Sequence, residues 1–368
     1  MESSAHQLKY LPDPYLHLGQ LLKEGKKIAR AVVISRTGSG PREAGATMFI
    51  ASDGCAAGTV GGGLLEARVM ETAREVVRSG KAAVEPFALD DEMAAEEGMI
   101  CGGTMEVLIH PLQPADPGAS AVFSRLLENL QEGHSLWLFT SIQRIDDDIK
   151  TGVGLLSPGE ADPGTLPVQV EEMESLAQAC GDGATMLTGE CEKRFFIQPV
   201  RLPEPFFLFG AGHISEALAP LCRQVGFHPV VVDDRAKFAD PQRFPEAGQV
   251  LLVDSFEGCF ENLEIDKNSF IAVVTRGHAH DRAVVSQALR TGARYIGMVG
   301  SARKRAAVFE ALLEEGFVLS DLQRIHSPIG LPIGALTPAE IAVSIVAEMI
   351  AVRAGKKVRH LKWRDGEK

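Results

Sequence analysis

No two cysteines of this chain are spaced to act together. The six, Cys55, Cys101, Cys180, Cys191, Cys222 and Cys259, form no CxxC pair and no zinc-ligand spacing. Reduced thiols in a cytoplasm are the simplest reading. Long apolar runs are also missing. The most apolar helical stretch, near Ile341 to Val352, is interrupted by Glu348, so no membrane span is expected. The opening stretch, MESSAHQLKYLPDP, has no apolar signal core. An excess of positive charge is absent too. The formal net charge is −12, and the local basic stretches do not alternate with stacking aromatics, so nucleic acid is not an expected partner.

What is present is the composition of a globular protein, with 45% hydrophobic and 23% charged residues. A chain of 368 residues is long for one core, and two domains are expected. The 37 glycines point to several close backbone turns.

The most informative stretch is FFLFGAGHISEALAPLCRQVGFHPVVVDDR, Phe206 to Arg235. An apolar strand, a glycine turn, an amphipathic helix and a second apolar strand ending in acids form the first unit of a dinucleotide-binding sheet. Gly210 permits the tight turn. Gly212 lets a ligand phosphate approach backbone N–H groups at the positive end of the helix. Ser215 stands where the pattern has its third glycine and is small enough for close packing. Asp233, 21 residues after Gly212, is placed to accept a hydrogen bond from a ribose hydroxyl.

Strands follow at Gln249 to Val253, Phe270 to Val274 and Tyr295 to Val299, which predicts a Rossmann-like parallel sheet. Ligands of such a sheet lie at the carboxyl ends of the strands. His213 and the run Thr275 to Asp281, TRGHAHD, fall there. In that run Arg276 and His278 are candidate ligand contacts, and His278, His280 and Asp281 are weak candidates for metal. The GMVGSARK turn falls there as well, with Gly300, Ser301 and Arg303 opening another helix. Two anion-suited helix starts at one edge favour a phosphorylated ligand.

The Leu202–Pro203–Glu204–Pro205 linker places a boundary near residue 202. Residues 1–201 read as a mixed α/β domain of underivable topology, and 202–368 as the Rossmann-like domain with a basic tail. The first domain carries a second glycine turn, Gly61–Gly62–Gly63, opening a helix with Glu66 in its first turn. It is either an anion site, with Arg36 and Arg42 of the preceding glycine loop as cationic contacts, or a structural turn with a capping acid. Cys101, before Gly102 and Gly103, is either a thiolate favoured by neighbouring N–H groups or a small buried residue.

Together these motifs resemble the xanthine dehydrogenase accessory protein (XdhC/CoxI) family. The resemblance rests on Pro41–Arg42, GTVGGGLLE from Gly58, Cys101–Gly102–Gly103, GAGHIS, VVDDR, TRGHAHD, YIGMVGSARK and SPIGLPIGALTPAEIAVSIVAE from Ser327, in that order. It implies a cofactor chaperone rather than an oxidising enzyme. Such a protein binds molybdenum cofactor, as molybdopterin or its dinucleotide, and assists its sulfuration and insertion into a xanthine dehydrogenase-type molybdoenzyme. A cysteine desulfurase-type sulfur donor and a homodimer are also implied. Many relatives carry cysteine where this chain has Leu64, which leaves Cys101 as the candidate catalytic thiolate and molybdenum contact. The rival readings are an NAD(P)-dependent oxidoreductase and a non-catalytic nucleotide-binding scaffold.

Overall fold

The computed structural model describes residues 13–89, 103–112, 117–180, 183–188 and 193–356. It divides into two compact units, Met1–Leu202 and Pro203–Lys368.

The first described element is α1 (Asp13–Lys23), whose Leu18 and Leu21 are buried. Next come β1 (Ile28–Thr37), β2 (Thr47–Ala51), β3 (Ala56–Gly58), α2 (Gly63–Ser79), β4 (Ala83–Leu89) and β5 (Gly103–Leu112). The strands pair antiparallel in the order β3-β2-β1-β5-β4. A second antiparallel sheet is built from β6 (Leu136–Ile145), β7 (Asp148–Ser157), β8 (Glu160–Asp162), β9 (Thr185–Thr188) and β10 (Arg194–Val200), in the order β8-β7-β6-β10-β9. Its helices are α3 (Pro117–Gln131) and α4 (Val170–Ala179).

One face of the first sheet is covered by Leu65, Val69, Ala73 and Val76 of α2, which share a helical face. The other face, with Val32, Ile34 and Leu108, packs on Ile142 and Phe196 of the second sheet. β1 is therefore buried on both sides, which is why it reads as a continuous apolar run. β4 contains Pro86 and lies at the sheet edge, where a missing N–H is tolerated.

The second unit is a six-stranded parallel sheet in the order β13-β12-β11-β14-β15-β16. The strands are β11 (Glu204–Phe209), β12 (Phe227–Asp233), β13 (Gln249–Leu252), β14 (Phe270–Val273), β15 (Tyr295–Met298) and β16 (Ile325–His326). Helices α5 (His213–Gln224) and α9 (Pro338–Arg353) pack on the face carrying Phe206 and Leu208. Helices α6 (His278–Leu289) and α7 (Ala302–Glu314) pack on the face carrying Phe207 and Phe209. A short helix, α8 (Leu319–Leu322), precedes β16. The strand order reverses between β11 and β14, which makes the gap above them the switch point of a Rossmann-type sheet.

Glu348 is fully buried in α9. Its Oε2 accepts from Tyr295 Oη at 2.5 Å and from Gly330 N–H at 2.8 Å, and His326 Nδ1 lies 3.3 Å from Oε1. The charge that interrupts the apolar helix in sequence thus anchors the loop before it. No helix among the described residues is long and apolar enough to cross a membrane.

Candidate functional site

In the second unit the chain leaves β11 through Gly210 at φ +103. A Cβ there would lie 2.6 Å from the Val274 carbonyl oxygen, so only glycine fits the turn. Ser215 is buried and donates its hydroxyl to the Gly210 carbonyl. Gly212 is the N-cap of α5, with no side-chain cap and nothing within 4 Å of where a Cβ would stand. The first N–H groups of α5 are therefore open to an acceptor from outside the helix. His213 follows, exposed.

Asp233 does not play the part its spacing predicts. It is 1% exposed, and both oxygens are engaged. Oδ2 accepts from Ala211 N–H at 2.7 Å and from Arg235 Nη2 at 2.8 Å. Oδ1 accepts from Arg235 N–H at 2.9 Å and Nε at 2.8 Å. Burial works against its charge, but the Arg235 guanidinium and the two backbone N–H groups outweigh it and hold the carboxyl below the usual carboxylate range. The acid expected to meet a ribose braces the glycine turn instead. Arg235 in turn stacks over Phe238 at 3.6 Å. Arg276, a predicted ligand contact, forms a two-pronged pair with Asp234 at 2.6 and 2.8 Å.

Beyond β14, Gly277 is the N-cap of α6 and has no side-chain cap. His278 is exposed, while the His280 ring packs edge-on against Phe256 at 5.4 Å. Two positions apart on a helix, the two imidazoles lie on different faces. Asp281 is fully buried, accepts from Thr275 Oγ1 at 2.5 Å and pairs with Lys304. Burial pushes its carboxyl above the ordinary value despite Lys304 and Thr275. Among the described residues no group of three or more His, Cys, Asp or Glu side chains is arranged to hold a metal ion.

The second anion-suited helix start also differs from expectation. The Ser301 hydroxyl caps α7 itself, accepting from Lys304 N–H at 3.3 Å. Lys304 turns inward to Asp281, with its stem 3.1 Å from where a Cβ on Gly300 would stand. Arg305 donates to the Ser327 carbonyl at 2.8 Å, and Arg303 is exposed. At this edge of the parallel sheet the uncapped glycine N-caps are those of α5 and α6, after the two strands that flank the switch point. Sequence reading passed over Gly277, whose signal was a glycine just before a helix and just after a strand.

In the first unit the loop before β2 lies against the second glycine turn. A Cβ on Gly61 would stand 2.8 Å from Pro41 Cγ, and one on Gly103 would meet the carbonyls of Thr37 and Ser39. The N–H groups leading into the turn are engaged. Glu66 Oε1 accepts from Val60 N–H at 3.2 Å, from Gly61 N–H at 3.4 Å and from the Thr59 hydroxyl. Burial opposes its charge, but these donors outweigh it and keep the carboxyl low. Glu66 thus braces the N–H groups that lead into the turn, while Gly62, the N-cap of α2, has no side-chain cap. Arg42 is exposed, and Arg36 pairs with Glu43 at 2.8 Å. Cys101 lies outside the described residues, two positions before Gly103.

Fold and turn together define a protein whose second unit is a Rossmann-type sheet with an uncapped glycine turn at its switch point. Residues 206–349 match the XdhC Rossmann domain, and residues 21–88 match the XdhC and CoxI family. The chain belongs to the XdhC/CoxI family. It is 25% identical over 342 residues to a Bacillus subtilis protein named as a probable xanthine dehydrogenase subunit, covering 91% of this chain and 96% of that one. It is 23% identical over 341 residues to the "Molybdenum cofactor insertion chaperone PaoD" of Escherichia coli, covering 91% and 86%. A third relative, the "Uncharacterized protein YqeB" of Escherichia coli, is 23% identical over 92% of this chain, and the chain spans only 46% of its length. In fold the chain resembles a solved structure described as a xanthine dehydrogenase from Bacillus halodurans, with a TM-score of 0.77 at 24% identity over 94% of this chain and 97% of that one.

Proposed function

We propose that this protein is a maturation factor for a molybdoenzyme. It binds molybdenum cofactor, assists its sulfuration and hands it to a xanthine dehydrogenase-type hydroxylase. The observation that carries the reading is the pair of glycine N-caps, Gly212 and Gly277, on either side of the switch point and without side-chain caps. Their free N–H groups suit the phosphate of a phosphorylated pterin. The names of two relatives, a molybdenum cofactor insertion chaperone and a probable xanthine dehydrogenase subunit, support the same role.

The N–H groups of His213 and Ile214 would hold a phosphate, with His278 and Arg303 beside the same sheet edge. Bound cofactor would supply a molybdenum centre on a dithiolene. Cys101 remains the candidate thiolate, a soft sulfur ligand of the kind that suits molybdenum or its exchangeable ligand. A cysteine desulfurase-type donor, a homodimer, a cytoplasmic setting and functional domains of 1–201 and 202–368 belong to the same proposal. NAD(P) is the weaker ligand, because Asp233 has no oxygen left over for a ribose diol.

The test is analysis of molybdenum and oxidised pterin retained by the purified protein after incubation with cofactor. Wild type should retain both in a fixed ratio, and Gly212→Asp should lose them. Cys101→Ala should keep the pterin but fail to activate a target apoenzyme. Retention of neither by the wild type, alongside saturable nicotinamide binding, would overturn the reading.

A further inference from the structure

The first unit contains a charge that the maturation role does not use. Arg30 of β1 is fully buried between the two sheets. Its guanidinium reaches His110 Nε2 and Thr140 Oγ1, both at 3.2 Å, and Gln198 Oε1 at 2.6 Å, and it lies over the Phe123 ring at 5.9 Å. Its Nε has no hydrogen-bond partner, and among the described residues no carboxylate pairs with it. Burial lowers its pKa to about 10, so it remains a cation at neutral pH. A lone buried cation is costly unless a counter-charge lies nearby.

The contact with His110 fixes a tautomer. A guanidinium can only donate, so His110 Nε2 is the acceptor. Burial and the adjacent Arg30 hold the imidazole well below its ordinary pKa, so the ring is neutral and carries its proton on Nδ1. His110 is itself only 1% exposed, yet it lines a cavity of about 210 Å³. The wall opposite is β7, with Asp148, Lys150 and Thr151, and Lys81 reaches across to Asp148 at 2.8 Å. Two cations, Lys81 and Lys150, thus stand around one carboxylate at the cavity, and Arg30 lies behind His110. The cavity is below the roughly 300–1,000 Å³ of sites for drug-sized ligands, so its occupant is smaller than a pterin cofactor.

We propose that this cavity binds a small oxyanion, of the size of phosphate or a short carboxylate, held by the Nδ1–H of His110 and the Lys150 ammonium. Arg30 stands behind His110 as a fixed positive charge, and the bound anion supplies the counter-charge that the core lacks. The site is independent of cofactor binding in the second unit.

The test uses the full chain with ¹⁵N-labelled histidine, the His110 ring signal being assigned by its loss in His110→Gln. Inorganic phosphate is titrated first and malonate second. The His110 ring should show the Nδ1-protonated tautomer and move saturably with at least one of the two. Lys150→Met, an exposed substitution, should weaken that response about tenfold, the worth of one charge-assisted hydrogen bond, and leave the tautomer unchanged. Gly212→Asp should leave the response intact, which separates this cavity from the glycine turn of the second unit. A His110 signal unmoved by both anions would overturn the proposal. So would equal affinity in Lys150→Met, or a response lost in Gly212→Asp.

Discussion

The glycine turns at Gly61–Gly63 and Gly210–Gly212 carry the same local pattern and are braced by acids of different origin. Each follows a strand or extended segment, opens a helix and has a carboxylate against its N–H groups. In the first unit the acid is Glu66, one turn into the helix that the glycines open, and it accepts from Val60 and Gly61 N–H. In the second the acid is Asp233, at the end of the neighbouring strand, and it takes only the Ala211 N–H of the turn. The acid from the same helix takes N–H groups that precede the N-cap and leaves Gly62 without a side-chain cap. The acid from the next strand braces the turn from below and likewise leaves Gly212 without one. The two turns differ in where the bracing acid comes from and in how many N–H groups it engages.

The comparison can be broken in four places. The largest effect is expected at Asp233. Asp233→Ala leaves Arg235 and the Ala211 N–H without their partner, and should cost roughly 3–4 kcal/mol in urea unfolding at neutral pH. The folded carboxyl is depressed, so its contribution is complete above the unfolded value of about 4 and is lost as pH falls through the folded value. The gap between variant and wild type should therefore narrow in acid. A gap that stays constant to the acid limit would show that Asp233 acts through packing alone.

Gly210→Ala comes next. The positive φ and the nearby Val274 carbonyl should cost roughly 2–3 kcal/mol. An unchanged midpoint would mean that the turn can open without Asp233 releasing it.

Glu66→Ala should cost about 1–2 kcal/mol, the range for losing hydrogen bonds to a charged acceptor, and should free the Val60 and Gly61 N–H groups. Phosphate should then protect the Val60 and Gly61 amides from hydrogen exchange in the variant but not in wild type. Protection already present in wild type would mean that Glu66 does not hold those N–H groups.

The smallest stability effect belongs to Gly212→Ala. Its φ of −82 suits any residue and its Cβ has room, so the change should stay within about 0.5 kcal/mol. Cofactor retention should nevertheless fall. A large loss of stability would show that the turn is strained rather than open.

The parallel sheet was legible because its signals are local. Phe206–Phe209, Val230–Val232 and Tyr295–Val299 are short apolar runs bounded by glycine or acid, and the strands include them almost residue for residue. The capping box at Thr337 and Glu340 likewise starts α9. The strand order of the two antiparallel sheets of the first unit was not legible. β4 hides behind Pro86 and Glu85, and the order β3-β2-β1-β5-β4 brings β1 beside a strand that begins 66 positions after it ends at Thr37. Arg30 sits in the run IARAVVIS, where a single charge reads as solvent-facing, and only a second sheet packed over it makes it buried.

By itself the sequence determined the family motifs, the strand–turn–helix units and the glycines whose backbone needs them. These depend on steric limits and on periodicity within a few residues. Tertiary structure alone decided which N–H groups stay open, which arginine is buried and where Asp233, Asp281 and Lys304 spend their charge. A hydrogen bond forms with whatever acceptor lies about 3 Å away. For a buried group that acceptor is chosen by how distant segments pack, and spacing along the chain does not record it.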